Sequence, residues 1–262
     1  MTVEDVLAPA AESAAKAAVA QQALAHRVVL RDGPAGRLPV VVCMWKRTYR
    51  LEAVLRTVAL QSLPCDLYLW NNDASQAAEI DATVAGAAVA PSRVVVAHSP
   101  ENIGGFGRFF WARELAASYP QVLFVDDDQI LDQETAASFV AESSPGEVRS
   151  AWGFRIKTRR SYWRREAASM GAPAKYCGTG GMIIDSSVFT DERLFRCPDR
   201  YWFCEDIWLS YFASTVLGWG CYKSGAEVGW LLDEAAQYPG LHKKKNDFYK
   251  LLNRKGGWVD PT

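Results

Sequence analysis

The sequence predicts an α/β fold built on a Rossmann-like, mostly parallel central sheet flanked by helices. Three observations predict it. From Leu38 onward, short apolar runs alternate with helical stretches, the signature of strand-helix-strand units. The runs are β-branched and nearly continuous in hydrophobicity, as strands buried on both faces are. One of them, Gln121 to Asp128 (QVLFVDDD), ends in three carboxylates, and an open parallel sheet places its ligand crevice beyond such strand ends.

The elements follow in order. Val3 to Arg27 is Ala-rich with good helix propensity and runs into the breakers Arg31-Asp-Gly-Pro-Ala-Gly36. Residues 1–36 therefore read as a helical N-terminal extension, for which packing on the domain, homodimer formation and membrane contact are all open. The domain proper spans 37–262. Its first half, 37–142, holds strands at Leu38 to Trp45, Asp66 to Trp70, Arg93 to His98 and Gln121 to Asp128, with helices over Leu51 to Leu60 and Arg108 to Ala117. The second half, 143–262, is less regular. It holds strands at Ser150 to Ile156 and Gly178 to Asp185, an aromatic stretch from Phe195 to Trp208, and a helix from about Asp206 to Leu217. One continuous domain with a nucleotide-type half and a more variable acceptor half is the economical reading.

Composition narrows the function. The 262 residues are 49% hydrophobic and carry 29 Lys+Arg against 30 Asp+Glu, for a net charge of -1, so no excess of basic charge drives phosphate-backbone binding and no nucleic-acid partner is expected. The six cysteines are scattered without a C-x-x-C pair or zinc-type spacing. They read as reduced thiols of a cytoplasmic protein. The N-terminus lacks a signal-peptide pattern, and no run of about 18 apolar residues escapes interruption by charge. The stretch from Arg159 to Arg165, with Tyr162 and Trp163 among its arginines, also suits peripheral contact with the inner membrane face, against the plainer reading of a solvated loop.

Four segments carry chemistry. Asp126, Asp127 and Asp128 repel one another unless a cation neutralises them, and Mg²⁺ or Mn²⁺ commonly takes one or two carboxylates plus substrate phosphates. The plain alternative is an acidic loop after a strand. Glu101 to Arg108 (ENIGGFGR) follows a strand and opens a helix, so its N–H groups suit phosphate or hydroxyl oxygens, with Asn102, Gly104 and Arg108 as contacts. Its spacing matches neither the dinucleotide fingerprint nor the Walker loop. Glu205 and Asp206 stand among Tyr201, Trp202, Phe203 and Trp208, where apolar company raises a carboxylate's pKa; Asp206 is equally a candidate N-cap. His242 beside Lys243, Lys244 and Lys245 reads as a solvated face or as a pyrophosphate site with His242 as a metal ligand.

In this order, from about residue 38 to 245, the segments resemble nucleotide-sugar-dependent glycosyltransferases of the GT-A fold, family-2-like with exostosin-like features. VVVCMWKRTYRL looks like the first strand and nucleotide loop, DLYLWNNDAS like the second strand, and FVDDDQIL like the DxD motif. GTGGMIID resembles the acceptor-side strand, and FCEDIWLS the Glu-Asp motif opening the last catalytic helix. The resemblance implies transfer of a sugar from a nucleotide diphosphate sugar, UDP-sugar favoured, to a glycan, lipid-linked or small-molecule hydroxyl. It places Thr48 and Arg50 in the first loop and Asn72 at the base. Relatives often carry Asp where Asn71 and Asn72 stand, a departure that leaves the base open. Asp126 would face ribose or sugar, Asp128 would hold Mn²⁺ or Mg²⁺ with Asp126 and His242, and Lys243 or Lys244 would steady the phosphates. Asp206, with Glu205 beside it, would be the general base of an inverting reaction; a retaining exostosin-like transferase is the alternative. A haloacid-dehalogenase-type phosphatase fits poorly, since three strands precede the motif and Ile130 follows it. RDGPAGRLP is a poor activating loop for a pyrophosphorylase, and a non-catalytic binding module would be expected to lose these acids.

Overall fold

The computed structural model describes residues 11–34, 38–231 and 240–260. In chain order, α1 (Ala11–Ala25) leads to β1 (Val28–Asp32), β2 (Leu38–Met44), α2 (Leu51–Ala59), β3 (Cys65–Asn71), α3 (Ala77–Gly86), β4 (Arg93–His98), α4 (Phe106–Leu115) and β5 (Gln121–Asp126). Then come β6 (Gln129–Leu131), α5 (Thr135–Glu142), β7 (Glu147–Ser150), β8 (Gly153–Ile156), β9 (Arg165–Ala167), β10 (Tyr176–Cys177) and β11 (Met182–Asp185). The described chain closes with α6 (Glu205–Tyr211), β12 (Gly220–Lys223), β13 (Val228–Trp230) and α7 (Leu241–Lys255).

The main sheet has the order β1-β4-β3-β2-β5-β11-β7-β12. Its four central strands, β4, β3, β2 and β5, are mutually parallel; β1 and β11 run antiparallel to their central neighbours. Alternation along each central strand feeds two cores. Val41, Tyr68, Trp70, Val95 and Phe124 face the side covered by α1, α4, α6 and α7. Val40, Val42, Leu67, Leu69, Val94, Val96, Leu123 and Val125 face the side covered by α2, α3 and α5. Each such fully buried side chain contributes roughly 1.5 to 3 kcal/mol against exposure. The chain thus adopts a single α/β domain with a mostly parallel core.

The differences from expectation have local causes. The N-terminal segment supplies more than a helix: Val28–Asp32 pairs with β4 as the sheet's edge strand, and its alternation is weak because edge residues such as Val28 and Val29 stay exposed. Helix α1 packs on the domain through Ala20, Ala23 and Leu24, its small side chains allowing close approach to α4 and β4. The boundary at 36 and 37 and residues 1–10 lie outside the described residues. The run Ser150 to Ile156 splits at Ala151 and Trp152 into β7 of the main sheet and β8 of a three-stranded sheet. After Tyr211, α6 widens into a π-helical turn at Phe212–Val216. All six cysteines are unbridged, and no described helix is long and apolar enough to cross a membrane.

Topology sets the position of the site. Chain order runs outward from β2 through β3 to β4 and then returns to β5 on the other side of β2, so the switch point lies between β2 and β5. Ligand crevices of open α/β sheets form beyond the carboxyl ends at that point.

Candidate active site

A cleft of about 250 Å³ opens at the switch point, lined by Trp45 and Arg47 after β2, Asn72 after β3, Asn102, Gly104, Gly105 and Arg108 before and on α4, and Asp126 to Asp128 after β5. Phe203, Glu205, Leu241 and Lys245 close its other side. Strand β5 stops at Asp126 because its next residues are charged and the chain must turn: the Asp126 N–H donates to Gln129 Oε1 at 2.8 Å, and β6 then pairs with β13. The turn is tied down when Leu231 N donates to Asp128 O at 2.7 Å.

Three guanidinium groups face the three carboxylates. Arg108 meets Asp126 at 2.8 Å, Arg47 meets Asp127 at 2.7 Å and Asp128 at 3.4 Å, and Arg50 stands 3.8 Å from Asp128. Lys46, at φ 58°, makes the left-handed turn that swings Arg47 back over the acids. Compensation is incomplete. Burial pushes the Asp127 carboxyl up to about 7, Arg47 opposing this and Asp126 adding to it; burial and Asp126 also raise Asp128. Asp127 Oδ2 and Asp128 Oδ1 are enclosed without a hydrogen-bond partner. Oxygen donors held together with unsatisfied lone pairs on Asp127 and Asp128 fit a hard divalent cation. Among the described residues no group of three or more His, Cys, Asp or Glu is arranged to hold a metal, so the protein would supply one or two carboxylates and leave other positions to phosphate and water.

The Gly-rich segment is held by Asn72. Its Oδ1 accepts from Ile103 N at 3.0 Å and Trp70 Nε1 at 3.1 Å, and its Nδ2 donates to Gly104 O at 3.1 Å. Asn72 lines the cleft, yet its amide is committed to the loop. Asn102 Oδ1 accepts from Gly104 N at 2.8 Å. Gly105 permits the close approach of Glu205, since a Cβ there would collide with Glu205 Oε1.

The two acids of α6 differ. Glu205 is half-buried in the cleft wall, and its carboxyl is pushed up to about 7 by burial and by Asp206, against the pull of Arg108. Asp206 is buried and fully engaged: Oδ2 accepts from Tyr176 Oη and Lys245 Nζ, each at 2.5 Å, and Oδ1 accepts from Ile207 N at 2.8 Å. Burial alone would raise its pKa; the Lys245 ammonium and these hydrogen bonds outweigh that and hold it below the usual carboxylate range.

Several sequence candidates stand elsewhere. Thr48 Oγ1 donates to Glu79 Oε1 at 2.8 Å, and Thr48 is not among the cleft-lining residues. The His242 imidazole stacks on Trp163 with centroids 3.8 Å apart and planes within 4°, and neither it nor Lys243 nor Lys244 lines the cleft. The lysine that enters is Lys245. Helix α7 begins at Leu241, so Leu241 and Lys245, four residues apart, share the face turned to the cleft. That spacing is the signal that would have singled out Lys245. Arg47 was equally legible as one of the two cations, with Lys46, that directly follow the first strand, while Tyr176 carried no sequence signal.

No family model matches the chain, and no curated protein matches its sequence. Its fold has counterparts among solved structures. The Pyrobaculum calidifontis mannosyltransferase PcManGT, solved with GDP-Man and Mn²⁺, is 13% identical with a TM-score of 0.56, covering 92% of this chain and 77% of that one. GalNAc-T7, solved with UDP, GalNAc and Mn²⁺, is 10% identical with a TM-score of 0.56, covering 85% and 51%. S. aureus TarS is 16% identical with a TM-score of 0.51 over 75% of this chain, which spans only 37% of the TarS chain. The shared architecture is the GT-A fold.

Proposed function

We propose that this GT-A chain is a metal-dependent glycosyltransferase that moves a sugar from a nucleotide diphosphate sugar to an acceptor hydroxyl. The observation that carries the proposal is the acidic turn Asp126 to Asp128, with carboxylate oxygens of Asp127 and Asp128 left without partners, facing Glu205 and Lys245 across a cleft at the sheet's switch point. UDP is the favoured nucleotide, as expected from sequence, and a UDP-bound form of TarS belongs to the structural neighbours.

Asp126 and Asp128 would hold Mn²⁺ or Mg²⁺. When bound, such an ion supplies Lewis-acid stabilisation of the charge that develops on the leaving diphosphate. Arg47 and Lys245 add fixed positive charge at the same cleft. Glu205 is the proposed general base. A carboxylate with a pKa near 7 is half ionised at neutral pH, and it is the acid of the pair that lines the cleft. The expected role of Asp206 as base passes to its neighbour, because both Asp206 oxygens already accept hydrogen bonds. Asp206 then acts as a positioning residue that fixes Lys245.

In the inverting form the acceptor oxygen bonds to the anomeric carbon as the bond to the diphosphate oxygen breaks, and the hydroxyl proton passes to Glu205. The products are a glycoside and a nucleoside diphosphate. Hydrolysis and transfer assays with UDP-, GDP- and dTDP-sugars and Mn²⁺ test the proposal: release of nucleoside diphosphate that stops on chelation supports it.

A further inference from the structure

A second concavity lies on the far side of the acidic turn. The two-stranded β6 and β13 sheet and the Ala151-Trp152 corner line a cleft of about 600 Å³. The rings of Trp152 and Trp230 stand 4.9 Å apart at 39° and form a broad aromatic shelf. Other tryptophans singled out in the sequence have different duties: Trp202 and Trp208 are sealed in the core, and Trp163 has one face stacked on His242. Around the shelf, Trp230 is 48% exposed, Ile130 40% and Met170 76%, so three large exposed apolar side chains meet at one concave site. The indole N–H of Trp152 is enclosed without a hydrogen-bond partner, a deficit that an incoming oxygen would relieve. Asp132, Glu227 and Lys223 line the same cleft and supply acceptors and a donor.

The shelf is coupled directly to the acidic turn. Gly178 packs on Trp152, where a Cβ would sit 3.1 Å from the Trp152 side chain, and two residues later Gly180 packs on Asp126, where a Cβ would collide with Oδ2. Two residues of chain span at most about 7 Å. The backbone bond from Leu231 to Asp128 anchors the end of β13 on the turn as well.

Aromatic faces, an indole donor, carboxylates and an amine in one concavity are the chemistry that recognises a sugar ring, whose C–H face stacks on the indole while its hydroxyls hydrogen-bond outward. We propose that Trp152 and Trp230 form an acceptor platform that binds a saccharide, so that the acceptor is a neutral carbohydrate chain. This rests on the transferase reading. Asp132 and Glu227 on the rim disfavour the anionic surface of a membrane, for which the exposed apolar side chains alone would also serve.

An array of neutral linear oligosaccharides, probed with the full chain and its W230A, W230F and W152F variants, tests the platform. Nucleotide-dependent thermal stabilisation with Mn²⁺ is measured on the same proteins. The wild type is expected to retain at least one glycan, W230A to bind it about tenfold more weakly, and W230F to restore binding. W152F, which keeps a ring and removes the N–H, is expected to fall between them, and nucleotide stabilisation is expected in all four. Trp230 is half exposed, so its truncation leaves no core cavity. Retention of no glycan by the wild type, or undiminished binding by W230A, overturns the proposal. So does Trp230-dependent flotation with phosphatidylglycerol vesicles in place of glycan binding. Trp230-dependent glycan binding without any nucleotide stabilisation would instead sink the transferase reading and leave the platform standing.

Discussion

Asp206 and Lys245 form an ion pair at 2.5 Å that joins the first turn of α6 to the second turn of α7. The same carboxylate accepts from Tyr176 on β10, so three separate elements meet on one buried group. Removing the charge leaves Lys245 uncompensated. Asp206→Asn is expected to destabilise the fold by about 3 kcal/mol, a fall of roughly 6 to 12 °C in Tm.

The pH dependence of that pair follows from the two shifts. Asp206 is held below its ordinary pKa, so its contribution is present above about pH 4 and is lost as pH falls through the lowered value. Burial opposes the charge on Lys245, but Asp206 raises its pKa overall; its contribution is therefore present below about pH 10 and is lost only above the raised value. Wild-type Tm minus the Asp206→Asn Tm is expected to be largest between those limits and to shrink in acid.

Glu205→Gln is expected to leave nucleotide binding intact and to lower kcat by about 10² to 10⁴. The wild-type kcat/KM should rise with pH through an apparent pKa of about 7, a limb the variant lacks. If Asp206→Asn keeps its fold and nucleotide binding yet loses all turnover, while Glu205→Gln turns over normally, the base is Asp206.

Gly105→Ala places a methyl group on the Glu205 carboxylate. Displacing that side chain is expected to cut turnover at least as far as Glu205→Gln while the far-ultraviolet circular dichroism stays unchanged. Wild-type turnover in Gly105→Ala would show that the position of Glu205 is immaterial.

The parallel core was legible in the sequence because Leu38–Met44, Cys65–Asn71, Arg93–His98 and Gln121–Asp126 are buried on both faces, and burial writes itself as an apolar run. The strand Val28–Asp32 was not legible, because an edge strand is half solvated and its residues look like a loop. Ser150 to Ile156 reads as one strand because its break falls at Trp152, an apolar residue with no turn chemistry. At the site, the acids announce themselves by charge at a strand end, whereas the partners that decide their roles come from distant segments. Tyr176 and Lys245 reach Asp206 only through tertiary packing, and the difference between Glu205 and Asp206 is one of orientation on the first turn of a helix. His242 drew attention by residue type alone, and its stacking on Trp163 depends on a contact across 79 residues of chain.

The most direct measurement is thermal stabilisation by UDP-, GDP- and dTDP-sugars, with Mn²⁺ or Mg²⁺ present and then chelated, for the wild type and Asp128→Ala. A donor at 100 times its Kd stabilises by about 2.7 kcal/mol. One nucleotide class is predicted to raise Tm only with the metal, and Asp128→Ala to abolish that rise. An equal rise in EDTA, or none with any nucleotide sugar, would contradict a metal-dependent donor site at the end of β5.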